Sequence, residues 1–169
     1  MKMKSKKISY TAILSAFSTA IYIVESFLPV PIAVPGVRWG FSNFPLIIAA
    51  QSNIGFLNVV FIAIVKSVFG SLMSGRFLAP TFFMGFFGGL SSAVVMYAMS
   101  KTKKFGILGI SETGAFFSNV VQILIAGVFY IKSYRIVYYL PYMVFFGVIT
   151  AFINYLIVIS VMRSVKIDV

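Results

Sequence analysis

Lys66 lies deep in an apolar stretch, where a lysine costs on the order of 2.5–3.5 kcal/mol on membrane-insertion scales and marks a functional position by default. Its amine is expected to face an interior partner, either Glu25 or the negative group of a ligand. The alternative is a side chain that snorkels to the outer interface. Arg38 and Trp39, the single tryptophan, stand together in PVPIAVPGVRWGFSN, a segment that ends at Asn43. A guanidinium beside an indole offers an anion contact and a ring to stack on a ligand; the plainer use is an interfacial anchor. Arg76, in SGRFLAP, would add a second outer cation. Asn119 and Gln122 are three apart and share a helix face, while Asn154 stands alone among apolar neighbours. Their amides could read a ligand or tie helices together. The ligand-binding candidates are therefore Arg38, Trp39, Asn43, Lys66, Arg76, Asn119 and Gln122.

The acidic residues are Glu25, Glu112 and Asp168. Chemistry that rests on bound magnesium usually needs clustered carboxylates to hold the ion, and these three are widely separated. Cysteine and histidine are absent, which excludes disulfides, the commonest haem ligands and most zinc or iron–sulfur sites. There is no phosphate-binding loop of the ATPase type, so ATP-driven work would need partners. The expectation is a non-enzymatic protein with no catalytic residues, no metal and no cofactor.

Hydrophobic residues make up 60% of the chain and charged residues 10%, against roughly a quarter charged in an average soluble domain. The formal charge of +11 belongs to short loops beside apolar runs, so it reads as membrane topology and not as a nucleic-acid surface. Helices are predicted near 8–28, 42–52, 54–73, 79–100, 112–131 and 138–162. Asn53 and Gly55 separate the second from the third. The second is too short to span and reads as a buried or re-entrant helix. The basic start, with Lys2, Lys4, Lys6 and Lys7, resembles a signal peptide, but no clean cleavage site follows and the helix is read as retained.

With both termini cytoplasmic, the inside would hold Lys2, Lys4, Lys6, Lys7, Lys101, Lys103, Lys104, Arg163 and Lys166, nine residues, and the outside Arg38, Arg76, Lys132 and Arg135, four. That asymmetry agrees with the positive-inside pattern. The fold class expected is an all-α integral membrane protein, a six-helix bundle with a short second helix, forming one domain over 1–169 in a bacterial cytoplasmic membrane.

The first helix has two faces. Ala12, Ala16 and Ala20 recur at i, i+4, spacing that lets another helix approach closely. Thr11, Ser15, Ser18, Tyr22 and Glu25 form a polar stripe at steps of four and three that should face the bundle interior or a wet cavity. Either stripe is equally usable for packing within the chain. Gly85 and Gly89 form a G-x-x-x-G pair that says only close packing.

AILSAFSTA, the proline-rich loop ending in P-G-V-R-W-G-F-S-N, K-S-V-F-G-S-L-x-S-G-R-F-L-A-P and Y-Y-L-P together resemble the Gx transporter family. That family is also labelled heptaprenyl diphosphate synthase component I and is similar in plan to the substrate-binding S components of energy-coupling-factor transporters. The resemblance runs over about Ile8 to Met162. It implies an S-component-like bundle that captures a small molecule outside, beneath the Pro29–Asn43 loop. It also implies that Ala12, Ala16 and Ala20 dock on a transmembrane coupling subunit driven by cytoplasmic ATPases. The anionic or amphiphilic character expected of the ligand comes from the outer cations and many aromatics. The rival expectation is an accessory membrane protein of polyprenyl diphosphate or quinone metabolism or of electron export, with a lipid tail against FFMGFFGG.

Overall fold

The computed structural model describes residues 2–29, 38–52 and 54–165. Most of the proline-rich loop, including Pro31, Pro35 and Gly36, lies outside the described residues, as do Asn53, Lys166 and Asp168. Within them the chain is all helical: α1 (Lys2–Ser26), α2 (Phe44–Gln51), α3 (Phe56–Met73), α4 (Pro80–Thr102), α5 (Ile107–Ile125) and α6 (Leu140–Val165). Five helical stretches are long and apolar enough to cross a membrane: Ser5–Ser26, Phe56–Met73, Pro80–Thr102, Ile107–Ile131 and Tyr134–Ser164. The chain is thus built as a multi-pass membrane protein.

Three boundaries differ from the sequence expectation. Helix α1 begins at Lys2 instead of near residue 8, because lysine is a good helix former and the first helix continues through the basic start. Helix α5 begins at Ile107, not 112, with Gly106 extended at its N-cap. Its α-helical part ends at Ile125, and Ala126–Ile131 continues as π-helix.

The short helix α2 is enclosed by the others. Leu46, Ile47, Ile48, Ala49 and Ala50 are all almost completely buried, and α2 packs against α1, α3, α4, α5 and α6. A helix apolar on every side is stable only where every side is covered. Pro45 in its first turn costs no hydrogen bond there, and Ser100 of α4 donates to the Ala50 carbonyl at 2.8 Å at its other end. The core around α2 takes in Leu14, Val59, Ile62, Ala93, Met96, Ile110 and Val158. A smaller cluster of Met84, Ile123, Ala126, Ile136 and Met143 closes the α4, α5 and α6 side.

The α1–α3 contact depends on Gly70. A Cβ there would overlap the Tyr22 ring, so the missing side chain lets the two helices close on the tyrosine. Helix α5 is tied to α6 by polar links: the Ser111 hydroxyl donates to the Ala151 carbonyl at 3.0 Å and the Asn119 amide to the Met143 carbonyl at 2.8 Å.

Candidate functional site

The polar stripe of α1 faces inward as its spacing requires: Thr11, Ser15, Ser18, Tyr22 and Glu25 are all buried. Ser18 and Glu25 converge on one short piece of backbone, Gly40 to Asn43. Gly40 adopts a left-handed conformation, φ 85°, which glycine enters without strain, and the chain then makes a single 3₁₀ turn, Phe41–Asn43, into α2.

Four residues from three helices hold that turn. The Glu25 carboxylate accepts the Gly40 N–H on one oxygen and the Ser42 N–H, at 3.1 Å, on the other. The Ser18 hydroxyl and the Lys66 amine both donate to the Ser42 carbonyl, at 2.6 and 3.3 Å. Lys66 also donates to Asn43 Oδ1, and the Asn154 amide donates to the Gly40 carbonyl at 3.1 Å. Charge-assisted bonds of this kind are the stronger ones. Lys66 and Glu25 therefore grip the two polar ends of the same residue, Ser42, and neither snorkels: each is 2% exposed.

Next to the turn lies a cavity of about 770 Å³, counting the solvent space at its mouth. Tyr22, Arg38, Lys66, Gln122 and Asn154 are among its lining groups, with Trp39, Met96, Met143 and Phe146 supplying apolar surface. Gly85 and Gly89 form its α4 wall. The Cβ position of Gly85 looks onto the Tyr22 hydroxyl at 3.6 Å and the Arg38 guanidinium at 3.8 Å, and that of Gly89 onto Lys66 and Ser67. The glycine pair leaves room for side chains of α1, α3 and the turn, and not for another helix backbone.

Arg38 is the exceptional group. Its guanidinium lies over the Tyr22 ring, 3.9 Å from the centroid, and Nε, Nη1 and Nη2 are all buried with no hydrogen-bond partner among the described residues. Stacking on an aromatic face contributes about 0.5–2 kcal/mol, whereas taking an ion out of water without a partner costs several. Buried atoms of Tyr22, Gln122 and Asn154 also lack hydrogen-bond partners among the described residues: the phenol oxygen, Oε1 and Oδ1.

Of the sequence candidates, Arg38, Trp39, Asn43, Lys66, Asn119 and Gln122 all line this cavity. Arg76 does not. It is exposed beyond α3, where its backbone N–H bonds the Ser71 carbonyl at 2.9 Å. Trp39 is stacked on Phe41 at 6.0 Å, meets Phe146 edge-on, and donates its indole N–H to the Pro29 carbonyl at 3.0 Å. Ser42, Ser111, Ser118 and Thr150 also line the cavity and carried no sequence signal as site residues, since single hydroxyls are common in membrane helices. Asn154 was visible as an isolated amide, but its bond to Gly40 crosses most of the chain. Ala12, Ala16 and Ala20 are exposed on the outer face of α1.

A multi-pass helical bundle with a cavity among its helices, lined by polar and apolar groups, defines the class. The chain belongs to the heptaprenyl diphosphate synthase component I family, whose model matches residues 14–161. No curated protein and no solved structure matches it.

Proposed function

We propose that this chain is a non-enzymatic, substrate-binding membrane subunit of an energy-coupled uptake system, S-component-like, which captures a small anionic molecule in the cavity beside Arg38. The observation that supports this reading is the buried guanidinium whose three nitrogens have no hydrogen-bond partner among the described residues. Buried charge without a partner is rare and costly, and a protein that keeps it at a cavity wall has a use for it there. Catalysis of diphosphate chemistry is not part of the proposal. Glu25, the carboxylate at the cavity, has both oxygens engaged by backbone N–H groups.

In this reading the chain is one domain in the bacterial cytoplasmic membrane with both termini cytoplasmic, and the Arg38 end of the bundle faces outward. The exposed alanines of α1 dock on a transmembrane coupling subunit served by ATPases, because small residues permit close helix approach in lipid. The family's description favours a second reading, an accessory subunit that works beside a prenyl diphosphate synthase.

Affinity purification of the full chain from native membranes, followed by mass spectrometry of retained proteins, separates the two. The uptake reading expects a coupling subunit with ATPases, lost from Ala16→Trp while the variant still folds and binds. Recovery of prenyl diphosphate synthase subunits in their place would overturn it in favour of the accessory role.

A further inference from the structure

The chemical class of the ligand follows from the charges and unpaired atoms of the cavity, an argument that rests on the binding role proposed above. Three lining groups carry formal charge: Arg38, Lys66 and Glu25. Their sum is +1. Glu25 has spent both oxygens on the turn, and Lys66 donates to Ser42 and Asn43. The uncommitted charge is that of Arg38.

With its guanidinium over the Tyr22 ring and its three nitrogens unbonded among the described residues, Arg38 has N–H donors left to offer, and a guanidinium matches a planar carboxylate in a two-bond fork. One carboxylate also brings the enclosed charge to zero. A phosphate monoester carries about −1.5 to −2 at neutral pH, and a diphosphate carries more. Either would leave net negative charge in a region of low dielectric, where it is poorly screened.

The second requirement comes from acceptors. Asn154 is 4% exposed, and its amide nitrogen is committed to the Gly40 carbonyl, which fixes the orientation of the group. Its Oδ1 is buried without a partner among the described residues. Asn119 is oriented in the same way by its bond to the Met143 carbonyl, so its oxygen is likewise the acceptor end. A buried amide oxygen can be satisfied only by a donor, and no carboxylate supplies one. We infer that the cavity takes a singly charged carboxylate that also carries at least one O–H or N–H donor, the donor meeting Asn154 while the carboxylate meets Arg38.

The test uses the purified full chain in detergent and reads ligand-dependent shifts in thermal unfolding. Three pairs differ chiefly in hydroxylation and increase in size: lactate with propionate, gluconate with hexanoate, and mandelate with phenylacetate. Malate and glycerol 3-phosphate supply higher charge. In at least one pair the hydroxy acid should bind at least about tenfold more tightly than its partner, as expected when a buried acceptor is otherwise left unpaired. Arg38→Gln should abolish binding of both members. Asn154→Ala should collapse the preference between them; if that variant does not fold, the ratio in the unaltered chain decides alone.

Equal binding within every pair, binding of malate or glycerol 3-phosphate as tight as that of the best monocarboxylate, or no shift from any of the six monocarboxylates would each overturn the inference. Tight binding of malate would do so while leaving the uptake reading intact. Failure to recover a coupling subunit would sink that reading without altering the ligand class.

Discussion

Lys66 and Arg38 are both cations at the wall of one cavity, and their surroundings are opposite. Lys66 donates to a backbone carbonyl and a side-chain amide, across the Ser42 peptide unit from Glu25. Arg38 has an aromatic ring beneath it and no hydrogen bond from any side-chain nitrogen to the described residues. One charge builds the turn that leads into α2. The other lies beside it with its nitrogens unbonded among the described residues. Burial alone therefore does not distinguish the two cations; the count of satisfied donors does.

Paired substitutions test that contrast most severely. Lys66→Met removes the donor to the Ser42 carbonyl and to Asn43 Oδ1, so it should destabilise by about 3–5 kcal/mol, two charge-assisted hydrogen bonds at roughly 1.5–3 kcal/mol each. The measurement is thermal or denaturant unfolding in detergent. Arg38→Met should abolish anion capture yet leave stability unchanged or raised, since it deletes an unpaired charge. Equal destabilisation by the two substitutions would break the comparison and make Arg38 a structural residue.

A smaller effect is expected at the seam that positions Tyr22 beneath Arg38. Gly70→Ala drives a methyl into the tyrosine ring and should cost about 1–3 kcal/mol, as overpacking does, with a parallel loss of anion affinity. Smallest is Arg76→Ala, which should change stability by no more than about 0.5 kcal/mol and capture not at all. Loss of capture in that variant would add a cation to the site and undo the count on which the contrast rests.

The bundle was legible in the sequence because apolar runs and basic loops obey the bilayer's dimensions, which act on any segment independently of its neighbours. The inward stripe of α1 was legible for a similar reason: steps of three and four residues place side chains on one face whatever lies opposite. Lys66, Arg38 and the two amides of α5 were visible as polar groups in apolar company. Their division of labour was not, because it depends on which donors meet which acceptors across the fold. Glu25 reaches Gly40 and Asn154 reaches the same residue from the far end of the chain, and no local pattern encodes either bond. Arg76 shows the converse. Its charge and its place after α3 resembled those of a site residue, yet it faces out. Gly85 and Gly89 looked like a helix-packing motif, and the space they leave is taken by Lys66, Arg38 and Tyr22.

The short helix α2 has a consequence for how the protein is made. Eight residues at the α-helical rise reach about 12 Å, less than half of the roughly 30 Å of hydrocarbon in a bilayer. A ribosome-bound chain cannot leave this segment in lipid as a finished unit, because its ends carry backbone groups that hydrocarbon does not satisfy. Its place exists only once the five long helices surround it. The turn that Glu25 and Lys66 secure is therefore also the latch of a late step in biogenesis, in which a segment that no membrane would accept alone is taken up by its own neighbours.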